Sequence, residues 1–127
     1  MLNGGAVSWR SGLQQCVTVS TAEAEYVAGS TAAREALALR VLMYDLGFAQ
    51  GAMTIKFDNK AAIHIADGST STRSKHIDIH HHFIRQRIRM GQLKAVHIPT
   101  AQMAADIFTK PLPASKHNAC VSMLGMK

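Results

Sequence analysis

Residues 53–66, MTIKFDNKAAIHIA, pass from a strand pattern to a helix pattern within one short stretch. In MTIKF, the side chains of Ile55 and Phe57 fall on the same face, which is typical of a short strand. The run NKAAIHIA then favours a short helix, so strand, acidic turn and helix follow one another directly. Asp58 stands at that turn, where ligands commonly bind in α/β sheets. The stretch therefore predicts an α/β unit with a carboxylate at the end of its strand.

The neighbouring segments extend this α/β pattern in both directions. Residues 21–46 are strong helix formers that end at Gly47, a suitable residue for a left-handed C-terminal cap. Before them, the runs GGAVSWRSG and QQCVTVS predict a hairpin. After residue 74, KHIDIHHHFIRQRIRM predicts a helix, QLKAVHI a strand and AQMAADIFTK a short helix. A hairpin followed by alternating helices and strands predicts a mixed sheet with flanking helices.

Size and composition indicate one globular domain. The 127 residues are 47% hydrophobic, which predicts a single core in a domain spanning 1–127, with 111–127 as a C-terminal tail. The net charge of +6 favours polyanionic partners, with nucleic acid the leading candidate. An anionic membrane surface, or solubility alone, would give the same charge balance.

Cysteine usage and hydropathy argue against a secreted or membrane protein. Cys16 and Cys120 are far apart and have no metal-like spacing, so both are interpreted as free thiols in a reducing compartment. No basic segment followed by an apolar run opens the chain, and no window reaches the length of a membrane span. We therefore expect no membrane partner and an intracellular location.

Two glutamates stand near the start of the long predicted helix. With Ser20 as N-cap, Glu23 occupies the last position of a capping box and has a structural role. Glu25 lies outside the box, on a face that is expected to be apolar and to meet the sheet, where an unpaired charge is costly. The expected face continues through Ala28, Ala32, Leu39 and Met43. The alternative for Glu25 is a partly wetted acid that the helix dipole favours.

Asp58 and Asp106 each have an ordinary explanation. Asp58 could be the N-cap of the helix that begins near Lys60, with Asn59 as a rival cap. Asp106 lies inside AQMAADIFTK and could sit on an exposed helix face. Taken one at a time, neither residue predicts a specific chemistry.

Six motifs taken together resemble a known family. In chain order they are AVSWRS, STAEAEYVA, FDNKAAI, KHIDIHHHFIRQ, GQLKAVHIPT and ADIFTK.L. This set resembles the ribonuclease H domain that ends the polyprotein of copia-type retrotransposons, and the resemblance covers the chain from Ala6 onward. It implies a ribonuclease H-like α/β fold that hydrolyses the RNA strand of RNA–DNA hybrids during reverse transcription. The reverse transcriptase portion of the parent polyprotein would be a partner, and the intracellular location would be cytoplasm, nucleus or virus-like particle.

The resemblance also implies a cation site with two Mg²⁺ or Mn²⁺ ions. Its ligands and catalytic residues in this chain would be Glu25, Asp58 and Asp106. Mg²⁺ is a hard cation that prefers carboxylate oxygens to the abundant histidines. Two ions roughly 3.5–4 Å apart can position an attacking water and stabilise a leaving oxygen. Without a metal, acids brought together would repel one another.

One family feature has no counterpart in this sequence. The family's first carboxylate is an Asp on a strand upstream of the AVSW segment, and no Asp precedes Asp45 here. We therefore expect a fold without its first, central strand, and a chain that alone binds metal and cleaves hybrids poorly. Unpaired sheet edges would favour a homo-oligomer. The alternative function is a non-catalytic remnant that binds nucleic acid or self-associates.

The segment from residue 73 to residue 89 is rich in basic residues. Those expected to contact nucleic-acid phosphates are Arg73, Lys75, Arg85, Arg87 and Arg89, with a merely soluble face as the alternative. His76 and His80 lie four residues apart and could hold zinc on one helix face, but the sequence places no third or fourth ligand. A packed or solvated helix is the stronger interpretation of these histidines, and the roles of His81 and His82 stay open.

Overall fold

The fold is described by a computed structural model, which covers residues 4–14, 20–67 and 75–126 and omits the side chains of 65–67 and 75–81. Its helices are α1 (Thr21–Asp45), α2 (Lys60–Asp67), α3 (Lys75–Arg89) and α4 (Ala114–Met123). The strands are β1 (Met53–Phe57) and β2 (Leu93–His97), and two short 3₁₀ helices cover Thr100–Gln102 and Ala104–Phe108. The α/β class predicted from the sequence is confirmed.

The chain divides into two compact units. The larger unit comprises Gln14–His97, and the smaller one combines Met1–Leu13 with Ile98–Lys127. The larger unit holds α1 to α3 and both strands, whereas the smaller holds the 3₁₀ helices and α4. The prediction of a single domain over 1–127 is not decided by this division and stays a prediction.

Local capping signals define both ends of α1. The hydroxyl of Ser20 accepts a hydrogen bond from the Glu23 amide at 3.1 Å, which confirms Ser20 as the N-cap. At the other end, Gly47 has a φ of 86°, and its amide donates to Tyr44 O at 2.9 Å. The next amide, Phe48 N, donates to Met43 O at 2.8 Å, which completes a Schellman motif. The predicted left-handed cap at Gly47 is therefore confirmed.

The sheet of the larger unit is built from two parallel strands. β1 pairs with β2 from Met53 opposite Leu93 to Phe57 opposite His97. Parallel strands need a crossover connection, and the segment containing α2 and α3 provides it. The buried core joins the two strands to α1, α2 and α3 through Tyr26, Ala33, Phe57, Ala62, Ile84 and Leu93.

The face that α1 buries differs from the expected one. Ala28 and Ala32 on the predicted stripe are exposed, while Tyr26, Gly29 and Ser30 are buried. The reason is steric, because a Cβ at Gly29 would lie 2.6 Å from Cζ of Phe57. The helix approaches β1 along its small residues, so the predicted contact face is wrong.

The smaller unit is joined by a few hydrogen bonds between its two chain segments. The amide of Ala6 donates to Leu124 O at 3.1 Å, and Ser11 Oγ donates to Phe108 O at 2.7 Å. Cys120 is buried with a free thiol, as predicted, whereas Cys16 lies outside the described residues.

Only part of the predicted hairpin can be compared with the structure. Residues 6–14 have no strand structure and are largely exposed, so the prediction is wrong for its first arm. No neighbouring strand supplies ladder hydrogen bonds to this stretch within the described ranges. Most of the second arm, residues 15–19, lies outside the described residues. The mixed sheet therefore stays a prediction.

Candidate functional site

Glu25 and Asp58 are brought together although they lie far apart in the chain. Glu25 belongs to the first turns of α1, and Asp58 directly follows β1. Oε1 of Glu25 accepts hydrogen bonds from the amides of Asp58 at 3.1 Å and Asn59 at 3.3 Å. One carboxylate of α1 thus holds the turn between β1 and α2, and it places the two acidic side chains side by side.

The pair perturbs the titration of Glu25. Burial, followed by the hydrogen bond and the negative charge of Asp58, raises the pKa of Glu25 from 4.5 to about 7, against the smaller lowering effect of the two backbone amides. No lysine or arginine of the described residues is among the causes of this shift. Within the described residues, burial and Asp58 thus oppose the charge of Glu25, and no positive side chain offsets them.

Asn59, not Asp58, caps the helix that follows. Its Oδ1 accepts a hydrogen bond from the Ala61 amide at 2.9 Å, one residue inside the first turn of α2. The interpretation of Asp58 as N-cap is therefore wrong. Since Asn59 takes the cap, the Asp58 side chain is left to interact with Glu25.

Asp106 is buried in the second 3₁₀ helix of the smaller unit. Its side chain forms ion pairs with Lys116 at 2.5 Å and with Lys110 at 3.0 Å. Burial raises the pKa of Asp106, but hydrogen bonds and charge from Lys116 and Lys110 outweigh it, so the pKa is lowered overall. The residue is only 5% exposed, so the interpretation as an exposed helix face is wrong. A 3₁₀ helix has three residues per turn, so the α-helical period does not predict its buried side.

The three predicted ligands thus have different surroundings. Glu25 and Asp58 meet in the larger unit, whereas Asp106 belongs to the smaller unit and pairs with lysines there. Among the described residues, no group of three or more His, Cys, Asp or Glu side chains is arranged to hold a metal ion. Glu25 and Asp58 fit a hard divalent cation, since they offer adjacent carboxylate oxygens. The complete ligand set stays a prediction.

The predicted phosphate-contacting residues are described only in part. Arg89 is exposed, whereas Arg85 and Arg87 are half-buried. Nη1 of Arg87 donates to Oε1 of Gln92 at 3.0 Å, and Arg85 acts electrostatically on Tyr26. Arg73 lies outside the described residues, and so do the side chains of Lys75, His76, His80 and His81. The zinc alternative and the phosphate surface therefore stay predictions.

The sequence pattern did not predict the two lysines that pair with Asp106. Lys110 lies four residues after Asp106, a spacing that can signal an ion pair on an α-helix, but Lys116 lies in the next helix. Only the spacing to Lys110 could have been recognised from the sequence.

No helix in the described ranges is long and apolar enough to cross a membrane.

Comparison with known proteins identifies plant transposon relatives. The chain is 38% identical over 125 residues to the retrovirus-related Pol polyprotein from transposon TNT 1-94 of Nicotiana tabacum, which covers 98% of the chain and 9% of that polyprotein. It is 33% identical over 122 residues to the Pol polyprotein from transposon RE1 of Arabidopsis thaliana, covering 94% of the chain and 8% of the relative. For transposon RE2 of the same plant, the identity is 34% over 108 residues, covering 84% and 7%.

These matches support part of the family resemblance. The homologues are retrovirus-related Pol polyproteins of plant transposons, which agrees with a copia-type retrotransposon origin and with a parent polyprotein. The chain spans less than a tenth of the length of each of these relatives. Their names describe whole polyproteins and no particular domain. No family model matches the chain, and no solved structure does.

Proposed function

We propose that this chain is the ribonuclease H-like portion of a copia-type retrotransposon Pol polyprotein and acts on the RNA strand of RNA–DNA hybrids. The observation that carries the proposal is the contact between Glu25 and Asp58 at the carboxyl end of β1. These are two of the residues that the family resemblance assigns to metal binding. Similarity to Pol polyproteins along nearly the whole chain supports the same assignment.

The two carboxyl groups suit a divalent cation for an electrostatic reason. At neutral pH, Glu25 is poised between its charged and neutral forms, because burial and Asp58 oppose its ionisation. A bound Mg²⁺ would supply the missing positive charge and, in catalysis, activate water and stabilise the leaving oxygen. Glu25 has a further task, since its hydrogen bonds to the amides of Asp58 and Asn59 orient the turn that carries Asp58.

The other predicted site residues take supporting roles in this proposal. Asp106 would be the third ligand, which requires its carboxylate to exchange at least one lysine partner for the cation. Arg85, Arg89, Arg73 and Lys75 would contact the phosphates of the hybrid, whereas Arg87 is held by its hydrogen bond to Gln92 and would not. The net charge of +6 would add attraction to any nucleic-acid strand.

Metal titration of the full 127-residue chain tests the site. Isothermal titration with Mg²⁺ is expected to show weak binding that Asp58→Asn weakens about tenfold or more, since the variant removes one of two adjacent charged ligands. Asp45→Asn is the matched control, because Asp45 is an exposed acid at the far end of α1. Equal Mg²⁺ affinity of the wild type and Asp58→Asn would contradict the proposed site.

Cleavage of a labelled RNA–DNA hybrid tests the activity. With Mg²⁺, the wild type is expected to cut the RNA strand slowly, since no residue of this sequence corresponds to the family's first carboxylate, while Asp58→Asn and Glu25→Gln are expected to lose that activity. Cleavage that survives both substitutions would contradict the assignment. Cutting of the DNA strand instead of the RNA strand would contradict the substrate class.

One observation favours the alternative, a non-catalytic nucleic-acid-binding or self-associating module. Asp106 is already paired with Lys110 and Lys116, an arrangement that balances its buried charge without a metal. In that case, hybrid binding is expected without cleavage at any Mg²⁺ concentration, and Asp58→Asn leaves the binding unchanged. Gel-shift and cleavage assays on the same samples separate the two functions.

A further inference from the structure

A groove of about 340 Å³ runs beside α1 and α3 in the larger unit. Its lining includes Arg34, Leu37, Arg40, Val41, Phe83 and Arg87. None of these residues belongs to the Glu25–Asp58 pair. The groove combines three arginines with apolar walls, and the metal-site proposal does not explain that combination.

Phe83 holds two of the guanidinium groups in place. Cζ of Arg34 lies 5.3 Å from the centre of the Phe83 ring, and Cζ of Arg87 lies 5.4 Å from it. Gln92 further restrains Arg87 by accepting a hydrogen bond at 3.0 Å from Nη1. Arg40 is restrained by the hydrogen bond from its Nε to Gln50 O at 3.2 Å. The positive groups are thus preorganised on both sides of the groove.

The positive charge of the groove is not balanced locally. No aspartate or glutamate of the described residues lines it. Nε of Arg87 is buried and has no hydrogen-bond partner within the described part of the chain. Guanidinium groups match carboxylate geometry through paired, charge-assisted hydrogen bonds, so the groove favours an anionic occupant.

Exposed apolar side chains lie in the C-terminal part of α1 and just beyond its end. Val41 is 61% exposed, and Leu42, Tyr44, Leu46 and Phe48 further along the chain are exposed as well. Clustered exposed apolar side chains commonly mark a surface that a partner covers. An occupant that suits this surface needs aliphatic or aromatic side chains beside its negative charges.

We infer that this groove docks an acidic, amphipathic peptide segment of a protein partner. Its carboxylates would pair with Arg34, Arg40 and Arg87, and its apolar side chains would cover Leu37 and Val41. Peptide is favoured over single-stranded nucleic acid because the Phe83 ring already stacks with two guanidinium groups and the groove has no other aromatic side chain among its described lining residues. Single-stranded nucleic acid is usually held on open aromatic faces.

Fluorescence anisotropy with the full chain tests this inference. The probe is a short fluorescein-labelled peptide with alternating glutamate and leucine. Arg40→Glu is expected to weaken its binding about tenfold by adding repulsion, and Val41→Asp is expected to do the same from the apolar wall. Val41 is exposed and Arg40 is only half-buried, so circular dichroism spectra of both variants are expected to stay like that of the wild type.

Control measurements make the result specific. Lys94→Glu reverses an exposed charge in the same unit outside the groove and is expected to change peptide affinity less than about twofold. A peptide with glutamine in place of glutamate is expected to bind about tenfold more weakly. Equal binding by Arg40→Glu and the wild type would overturn the inference.

The competing class of ligand is tested in the same experiment. If a labelled oligo-dT strand binds and loses affinity in Arg40→Glu while the peptide does not bind, the groove is a nucleic-acid site and the inference is overturned. Mg²⁺ titration of Arg40→Glu is expected to match the wild type. Failure of the docking site and failure of the proposed metal site can therefore be told apart.

Discussion

At the scale of single residues, Glu25 links two functions in one side chain. Its carboxylate accepts hydrogen bonds from two backbone amides, which favour the charged form. Burial and the neighbouring Asp58 oppose that charge and prevail, so the residue titrates near neutral pH. Glu25 therefore accepts structural hydrogen bonds and also has a pKa that a nearby positive charge would lower.

This titration predicts a pH dependence of stability in metal-free buffer. The pKa of Glu25 is higher in the folded chain, about 7, than its ordinary value of 4.5. Between pH 4.5 and about 7, Glu25 is therefore protonated in the folded chain and ionised in the unfolded chain. The contribution of this proton to stability is complete below pH 4.5 and is lost as pH rises through about 7. Urea denaturation is expected to show the wild type losing stability relative to Glu25→Gln across that window. Parallel pH curves for the two proteins would contradict the prediction.

At Gly29, helix α1 packs so closely on Phe57 that no side chain fits between them. A methyl group there would overlap the buried Phe57 ring, so Gly29→Ala is expected to lower the free energy of unfolding by about 1–3 kcal/mol despite the better helix propensity of alanine. Gly51→Ala is the control, because a Cβ at Gly51 meets nothing within 4 Å. It is expected to change stability by less than about 0.5 kcal/mol in the same denaturation experiment.

At the scale of elements, the ends of the helices are easier to predict than their faces. Ser20 and Gly47 mark the limits of α1 through local hydrogen bonds, and MTIKF forms β1 with the predicted bounds. The buried face of α1 was predicted wrongly because apolar alanines proved exposed while Gly29 and Ser30 proved buried. Small residues of α1 are buried because the helix packs closely on Phe57. The periodicity of apolar residues along a helix does not predict such a contact.

The candidate site shows the same limit of sequence reasoning. The contact between Glu25 and Asp58 joins positions 33 residues apart, and no spacing rule connects them. Motif resemblance alone suggested the pair. The lysine partners of Asp106 were missed because Lys116 belongs to a different helix, and ion pairs between elements leave no periodic signal.

The N-cap of α1 gives a prediction at this scale. Ser20→Ala removes the acceptor for the Glu23 amide and is expected to lower the free energy of unfolding by about 1 kcal/mol. Ser122→Ala, an exposed serine within α4, is the matched control and is expected to have a smaller effect of either sign, within about 0.5 kcal/mol. Equal losses in the two variants would show that capping is not the cause.

At the scale of the whole molecule, the excess of positive charge governs nucleic-acid binding in our proposal. The chain has eight acidic residues and fourteen lysines and arginines, and two of the lysines are paired with Asp106. The exposed arginine of α3, Arg89, is a cation that could release counterions from a phosphate backbone. Its contribution can therefore be measured through the salt dependence of binding.

Affinity for an RNA–DNA hybrid is expected to fall linearly in a plot of log affinity against log salt concentration. Arg89→Gln is expected to reduce the slope of that plot by about 1, because one phosphate contact is lost. Lys94→Gln, an exposed cation on β2, serves as the control and is expected to leave the slope unchanged. A slope that responds equally to both substitutions would point to net charge alone, against a phosphate-binding segment.

The locally encoded ends of α1 have a consequence for the order of events during synthesis. At 25 residues, α1 exceeds the roughly 12–15 residues below which isolated helices are marginal in water. Since Ser20 and Gly47 stop the helix without distant contacts, α1 can reach its final length while later residues are still being added. The β1–β2 ladder has to wait until Leu93 has emerged, because Leu93 pairs with Met53. Helix α1, which carries Glu25, can thus be complete before β1 and β2 have paired.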